Sequence, residues 1–394
     1  MSVALPSELV DRIIDHLQTD KPSLFACSLV CKLWQVRSRY HLFRRVRADP
    51  VPPDEDNGPW QMVPPFPEDI LHLFFYTEEL YLSHYHDGFS SQWLDATLRH
   101  MPRLQSLTLD ISYWRMDDTS ISFVYPSIHT LSLLHVKLGY DQDDEHVSRK
   151  LFHIFPSLRH LSILGYPPFD DLHPDIPSSF PNSLSLESYS GDDGSSEISI
   201  FFLQRLRLTS SLDSLVHLDM GTVEDPDLVY ALKTLDPRIK KNLRSFRAGV
   251  NDAQLTEGWS ALSLHDFTSL TSVTVLMPGW HILVPHYRAF LSFSTSVKNV
   301  IFQFTTPPWH WSGDAADANV WEELENMALQ MKSLRCLEFT INYDARIHLS
   351  SLPITAVEAQ LRRHLPVLDE RHLLRICGSS HFPYFPQTSR WLAS

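Results

Sequence analysis

Apolar residues at helical spacing fill the first part of the chain, from residue 5 to residue 46. The first run recurs every three or four positions and consists of Leu9, Ile13, Ile14 and Leu17. After a polar break, the next two runs contain Leu24, Phe25 and Cys27, then Val30, Leu33, Trp34 and Val36. Apolar side chains three and four positions apart share one helix face, so the pattern predicts three short helices. We expect Ile14, Leu17 and Phe25 to form the core between them.

From about residue 70 onward the string L-x-x-L-x-L recurs. Its three clearest copies begin at Leu104, Ile128 and Leu158, and weaker copies begin at Leu215, Leu243, Leu270, Val297 and Leu334. Further copies are predicted at Leu80–Leu82 and at Leu373–Leu374, whereas the copy near Leu184 and Leu186 is too degenerate to place in register between residues 170 and 210. Apart from the gap between Leu158 and Leu215, which contains the degenerate copy, neighbouring copies begin 24 to 37 positions apart. A period of this size is typical of a solenoid.

Amphipathic segments lie between the strings, around Trp93–Met101, Val147–Phe155 and Trp321–Met331. Several of them end before a proline, where helical backbone is disfavoured. Each unit therefore reads as helix, tight turn, short strand and loop. One such unit cannot bury its apolar face alone, so the units must stack with a parallel sheet on one side.

Alternate positions of the predicted strands point away from the core. For any one of them an ordinary solvated residue is the better interpretation, but together they predict a target-binding face. Its members are Ser106, Thr108, Asp110, Thr130, Ser132, His160, Ser162, His217, Asp219, Ser245, Arg247, Ser272, Thr274, Asn299, Gln303, Glu338 and Thr340.

A proline-rich stretch separates the helical start from the repeats. Seven prolines fall between residues 48 and 69, interspersed with acidic residues. Because proline fixes φ and disfavours helix, we predict a semi-rigid linker or an ordered arm there. The predicted domains are 1–47, 48–69 and 70–394.

Charge and cysteine content narrow the function classes. Lys and Arg number 33 against 47 Asp and Glu, a net charge of -14. Such a chain is repelled by phosphate backbones and anionic lipid surfaces, so neither nucleic acid nor membrane is an expected partner. The four cysteines form no C-x-x-C pair, which favours a reducing compartment. With neither a signal peptide nor an apolar run of membrane-spanning length, we expect a cytoplasmic or nuclear protein.

Catalytic and metal-binding motifs are missing from the sequence. It contains no H-E-x-x-H, no Cys/His set at zinc spacing, no G-x-S-x-G and no phosphate-binding glycine loop. We therefore predict no catalytic site, no metal and no cofactor. The segment Trp309-His310-Trp311 could be a recognition insert or an aromatic plug on the solenoid edge, and we favour the plug.

The helical start closely resembles an F-box. The resemblance runs through Leu5-Pro6-Ser7-Glu8-Leu9, Ile13, Ile14, Leu17, Leu24, Cys27 to Lys32, Trp34 and Leu42-Phe43. It covers about 40 residues, and its one departure is Leu33, where a second basic residue often follows the lysine. F-boxes dock on the Skp-type adaptor of SCF (Skp–cullin–F-box) ubiquitin ligases. The resemblance implies an adaptor interface of Leu5, Pro6, Leu9, Ile13, Leu29, Val30, Lys32 and Trp34.

The repeats resemble degenerate leucine-rich repeats of the type found in fungal F-box proteins. The asparagine that usually follows the last leucine by three places is mostly missing, although Asn251 and Asn342 match. The resemblance implies an α/β fold: an F-box followed by an irregular, right-handed solenoid with a curved parallel sheet.

Together the two resemblances predict the substrate-recognition subunit of an SCF-type ubiquitin ligase. The F-box would hold the adaptor and cullin core, and the solenoid would bind a target that the sequence does not identify. The chain itself would not be an enzyme. One alternative is a protein-interaction scaffold that acts outside a ligase. A hydrolase with a site inside the solenoid is a less favoured third interpretation.

Overall fold

The structure is a computed structural model that describes residues 5–48, 68–84, 89–111, 113–115, 123–138, 147–164, 184–191, 203, 209, 211–223, 230, 234–250, 266–277, 296–304, 318–342 and 354–379. The Trp309–Trp311 segment, most of the predicted 48–69 linker and much of the 170–210 region lie outside the described residues. The chain divides into two compact units. Unit 1 comprises Met1–His160 with Tyr166–Pro181, and unit 2 comprises Leu161–Gly165 with Asn182–Ser394.

Three helices open unit 1: α1 (Ser7–His16), α2 (Lys21–Val30) and α3 (Lys32–Phe43). Asp20 caps α2, because its Oδ1 accepts the Ser23 N–H at 3.2 Å and satisfies a donor left free by helix geometry. Val10, Ile14 and Leu24 form the buried core between the helices. The partly buried side chains packed against that core are Leu17, Trp34 and Leu42.

The prediction that Phe25 belongs to this core is wrong, since its side chain is 61% exposed. Leu24 and Cys27 lie on the inward face of α2, and both are buried. Phe25 follows Leu24 by one position, which is about 100° around an α-helix. It therefore points outward.

Twelve strands form one parallel sheet in chain order. They are β1 (Arg45–Ala48), β2 (Glu79–His84), β4 (Ser106–Ile111), β6 (Thr130–Leu134), β8 (His160–Leu164), β9 (Ser188–Gly191), β10 (His217–Val223), β11 (Ser245–Val250), β12 (Ser272–Met277), β13 (Asn299–Phe304), β14 (Cys336–Asn342) and β15 (Leu374–Ser379). Helices lie in several of the described connections between the strands: α4 (Ser91–Leu98), α5 (Val147–Ile154), α6 (Ser211–Ser214), α7 (Pro237–Asn242), α8 (Ala318–Gln330), α9 (Ile354–His364) and α10 (Pro366–Glu370). The predicted α/β solenoid with a parallel sheet is confirmed.

The leucine positions of the repeat form continuous buried rows. In unit 1, Leu80, Leu107 and Leu131 lie in register on β2, β4 and β6, and none is more than 2% exposed. In unit 2 the corresponding row crosses β11 to β14 and consists of Phe246, Val273, Val300 and Leu337. The strand copy that the sequence could not place is β9, whose inward residue is Tyr189.

Unit 1 also contains a second parallel sheet that the repeat did not predict. Its strands are β3 (Phe89–Ser90), β5 (Tyr113–Arg115) and β7 (Lys137–Leu138). Trp114 on β5 is fully buried. A short 3-10 helix, Glu68–Tyr76, lies before β2.

The main sheet begins at β1, ahead of the predicted linker. β1 pairs with β2 in register, with Val46 opposite Leu80. The proline-rich stretch therefore connects two neighbouring strands of one sheet. It does not connect the helices to the sheet, because α3 leads directly into β1.

Candidate functional site

Exposed apolar side chains are concentrated on the three N-terminal helices. Among the described residues, eleven large apolar side chains are exposed, and eight of these belong to this part of the chain. We call these eight the helical docking surface: Leu5, Leu9, Ile13, Phe25, Leu29, Val30, Leu33 and Val36. Soluble monomers rarely expose apolar side chains in such a concentration, which makes these helices a candidate interaction site.

Helix α1 carries two apolar stripes with opposite roles. Val10 and Ile14 are buried in the core, at 1% and 0% exposure. Leu9 and Ile13, one position earlier in each case, are 45% and 42% exposed. Residues four apart lie above one another on a helix, so each pair forms its own stripe. The stripe of Val10 and Ile14 packs in the helical core, and the stripe of Leu9 and Ile13 remains exposed to solvent.

Most of the adaptor-interface residues implied by the resemblance lie in or beside this surface. The exposed ones are Leu5, Pro6, Leu9, Ile13, Leu29, Val30 and Lys32. Trp34 differs, because it is half-buried and packs against the core of Val10, Ile14 and Leu24. Sequence reasoning missed Phe25, Leu33 and Val36. The sequence did contain a signal for Phe25. This residue lies four positions before Leu29, so the two share a helix face that is different from the face of Leu24 and Cys27.

A carboxylate fixes α1 against α3. Arg37 donates from Nε and Nη2 to the two oxygens of Asp15 at 2.6 and 2.8 Å. His41 Nε2 lies 2.7 Å from Asp15 Oδ1. The Arg37 hydrogen bond and charge, helped by His41, lower the pKa of Asp15 to about 2, against the opposing effect of burial. The ion pair holds the helix that carries Leu9 and Ile13.

Backbone hydrogen bonds fasten the end of α3 to the start of β2. The Arg44 carbonyl accepts the N–H groups of Glu78 and Glu79 at 2.9 and 3.0 Å. Thr77 Oγ1 donates to the Phe43 carbonyl at 2.9 Å. These bonds tie the end of α3 to the start of β2.

The Glu78 side chain reinforces this junction. It accepts hydrogen bonds from Tyr40 Oη at 3.0 Å and from Arg44 Nε at 2.7 Å. Burial raises the pKa of Tyr40, and so does its hydrogen bond to Glu78. The helices and the first strands of unit 1 therefore pack as one body.

On the outward face of unit 1, polar side chains meet across neighbouring strands. Tyr81 on β2 donates its hydroxyl to Asp110 on β4. His135, after β6, places Nδ1 3.3 Å from the same carboxylate. The Arg47 guanidinium lies 4.6 Å from the Tyr81 ring centre, a cation–π contact. Asp110 was predicted to face outward, whereas Arg47, Tyr81 and His135 were not selected.

Unit 2 has a similar row centred on an ion pair. Arg247 Nη1 lies 2.6 Å from Asp219 Oδ2, and its Nη2 donates to Gln303 Oε1 at 3.4 Å. Ser190 donates to the same Asp219 oxygen at 3.2 Å. Four outward positions on four strands are thereby connected into one network.

A second ion pair lies near the last strand. Arg375 Nη1 is 3.6 Å from Glu338 Oε2, and Thr340 donates to Glu338 Oε1 at 3.0 Å. Burial raises the pKa of Cys336, and the neighbouring Glu338 carboxylate adds to the effect. Both arginines of these two rows are paired with carboxylates, so the rows carry no net charge.

The predicted target-binding face is thus only partly accessible. Of its seventeen residues, Asn299 is exposed and twelve are half-exposed. The expectation of solvent exposure is wrong for Ser132, Ser162, Ser245 and Thr274, which are at most 5% exposed. Adjacent strands lie less than about 5 Å apart, so longer neighbours cover a short hydroxyl side chain.

The described residues contain no group of three or more His, Cys, Asp or Glu placed to hold a metal ion. Among the same residues, no helix is both long and apolar enough to cross a bilayer. Comparison of the chain with protein-family models and with curated proteins finds no match. The helical docking surface is therefore the feature from which a function can be argued.

Proposed function

We propose that this chain is the substrate-recognition subunit of an SCF-type ubiquitin ligase. The observation that carries the proposal is the helical docking surface, on helices whose sequence resembles an F-box. A Skp-type adaptor is the occupant that this resemblance supplies. Exposed apolar side chains in this number, Phe25 among them, are typical of a surface that a protein partner covers.

The junction at Glu78 supports the same proposal. A receptor of this kind must present its target at a defined position relative to the ligase core. The backbone and side-chain bonds around Arg44 fix the helices to the first strands of unit 1. These bonds hold the helical docking surface at a fixed position relative to the first strands of the sheet.

The sheet supplies the target-binding half of this function. It forms a right-handed, curved, leucine-rich-repeat-like solenoid that binds a target protein on its outward face. The chain works without a cofactor, in the cytoplasm or the nucleus, and catalysis belongs to other subunits of the ligase. The rows around Asp110 and Arg247 are the most connected parts of that face.

Co-purification with a Skp-type adaptor tests the docking half. Leu29 is 72% exposed, so Leu29→Asp should leave the fold intact while placing a charge in the interface. We expect the affinity for the adaptor to fall at least about tenfold, since loss of one desolvated anchor costs more than about 1.4 kcal/mol. Tyr230→Asp is the matched control, because Tyr230 is 67% exposed but lies in unit 2. Wild-type chain that does not bind the adaptor, or equal binding by both variants, would contradict the proposal.

Recovery of a cullin separates this function from the alternative scaffold. If the purified complex contains adaptor and cullin, the chain works within a ligase. Adaptor without cullin would favour a scaffold that uses the same helical docking surface. Affinity purification with the ligase stalled, followed by mass spectrometry, would then identify the target.

A further inference from the structure

A row of cations lies where four neighbouring strands of unit 2 begin. The Thr271 N–H donates to the Arg244 carbonyl at 2.9 Å, and the Lys298 N–H donates to the Thr271 carbonyl at 2.8 Å. The Arg335 N–H donates in turn to the Lys298 carbonyl at 2.7 Å. These residues therefore occupy equivalent positions immediately before β11, β12, β13 and β14. Arg244, Lys298 and Arg335 are exposed, and we call them, with Thr271, the cationic edge.

The charge of this edge is opposite to that of the whole chain. The segments that lead into the four strands contain seven basic and two acidic residues, in a chain of net charge -14. Both acidic residues are paired, since Asp236 lies 3.3 Å from Arg238 and Asp266 lies 3.5 Å from Lys240. The other five basic residues are exposed, and no ion pair within the described part of the chain includes them: Lys241, Arg244, Lys298, Lys332 and Arg335.

Helix stabilisation accounts for two of these five cations. Lys241 lies in the last turn of α7, and Lys332 follows the end of α8, where a positive charge interacts favourably with the helix dipole. Arg244, Lys298 and Arg335 lie in no helix. Lys298 and Arg335 are direct neighbours across two strands, and like charges in that position destabilise a sheet. An anionic ligand on the edge would turn this repulsion into attraction.

We propose that the cationic edge binds a short acidic segment of a partner protein in an extended conformation. Adjacent strands are about 4.8 Å apart, so the row from Arg244 to Arg335 is about 14 Å long. An extended peptide advances about 3.4 Å per residue, and alternate side chains point to the same side. Five residues cover this length, and three of their side chains can face the three cations. This site lies in unit 2 and goes beyond the function proposed above, because it does not use the helical docking surface.

The surroundings of the edge favour a short acidic segment over a long polyanion. Toward β10 the next charged residues are acidic: Glu187, and the exposed Asp213, whose carbonyl accepts a hydrogen bond from Asn242 at 3.3 Å. Toward β15, the exposed Glu370 and Arg371 offset each other in charge. A nucleic acid or an anionic lipid surface extends past the row and would meet these carboxylates. A segment of about five residues would not.

Fluorescence anisotropy of a rhodamine-labelled pentaglutamate peptide, titrated with the purified full chain, tests the proposal. We expect binding that weakens as ionic strength rises. Arg335→Glu should weaken it at least about threefold, because one attraction becomes a repulsion. Arg363→Glu is the matched control, since Arg363 is equally an exposed arginine of unit 2 but lies on α9, outside the four segments. It changes the total charge by the same amount and should leave the affinity unchanged.

Thr271→Lys provides a test that damage to the fold cannot imitate. Thr271 is the one uncharged position in the row, so a lysine there completes four cations on four strands. We expect this variant to bind pentaglutamate about threefold more tightly than the wild type. Circular dichroism checks that each variant remains folded.

Three results would overturn the inference. One is a wild-type chain that does not bind pentaglutamate at about 0.05 M ionic strength, where charges are weakly screened. Another is equal weakening by Arg335→Glu and Arg363→Glu, which would show that only the total charge matters. The third is binding of pentathymidylate, or of phosphatidylserine vesicles, that is tighter than binding of pentaglutamate and is lost in Arg335→Glu. That result would assign the edge to a nucleic acid or to a membrane surface.

Discussion

Two neighbouring glutamates provide a controlled comparison of how burial sets the strength of an ion pair. Glu78 and Glu79 follow one another at the start of β2, and each binds an arginine at the end of α3 or the start of β1. The Glu78 carboxylate lies 2.7 Å from Arg44, and its side chain is 19% exposed. Glu79 lies 3.0 Å from Arg45, with 43% exposure. The two pairs differ mainly in burial and in the additional hydrogen bond from Tyr40 to Glu78.

Replacing each carboxylate by its amide removes the charge and preserves the shape. For Glu78→Gln we expect a loss of about 1–2 kcal/mol in unfolding free energy, because a charge-assisted and partly desolvated bond becomes a neutral one. For Glu79→Gln we expect at most about 0.5 kcal/mol, since solvent screens an exposed pair. Tyr40→Phe should cost about 1 kcal/mol for its single hydrogen bond.

Equilibrium urea unfolding gives the free energies, and hydrogen exchange locates the change. The N–H groups of Glu78 and Glu79 both donate to the Arg44 carbonyl. These two amides should therefore exchange faster in Glu78→Gln than in Glu79→Gln. Equal losses of stability in the two amide variants, or unchanged exchange in Glu78→Gln, would refute the claim that Glu78 fastens the helices to the sheet.

Three other predictions concern stability. Gly249→Ala should cost about 1–3 kcal/mol in urea unfolding, because the added Cβ would lie 2.6 Å from the backbone oxygen of Leu276, which cannot move aside cheaply. Glu325→Ala should cost about 2–4 kcal/mol, since its Oε1 accepts two backbone N–H groups at the start of α10, at 2.7 and 3.0 Å. The exposed Glu322→Ala on the same helix is the control, and a similar loss there would contradict the argument. Asp15 has a pKa of about 2 in the fold and 3.8 as its ordinary value, so its contribution is complete above about pH 4 and is lost as the pH falls toward 2. Half-exposure limits that contribution to about 1 kcal/mol, and acid titration of stability should lose this component in Asp15→Asn.

The periodicity of apolar residues was sufficient to predict the helices and strands and to predict which strand residues face the core. The spacing of Leu104, Leu107 and Leu109 predicted a short strand after a turn, and both inward leucines of that strand are buried. The segments around Trp93, Val147 and Trp321 are helices, as predicted. A strand has a side-chain period of two and a helix of 3.6, so the repeat carries this information locally.

Periodicity could not predict which of the outward-facing strand residues are exposed to solvent. Thr108 and Ser132 occupy equivalent places in their repeats and face each other across β4 and β6. Thr108 is nevertheless half-exposed and Ser132 is 2% exposed. Accessibility of a short outward side chain depends on its neighbours on other strands, and those neighbours come from distant parts of the sequence.

The N-terminal helices show the same division between local pattern and tertiary packing. The sequence by itself determined that three amphipathic segments precede the repeats, and that their residues resemble an adaptor-docking motif. It did not determine that Phe25 faces solvent or that Trp34 turns toward the core. Every apolar residue favours burial. When a helix carries two apolar stripes, the packing of the three helices decides which stripe is buried. The direct passage from α3 into β1 was likewise decided by the sheet. Pairing of β1 with β2 is a contact across the proline-rich stretch, which no local periodicity encodes.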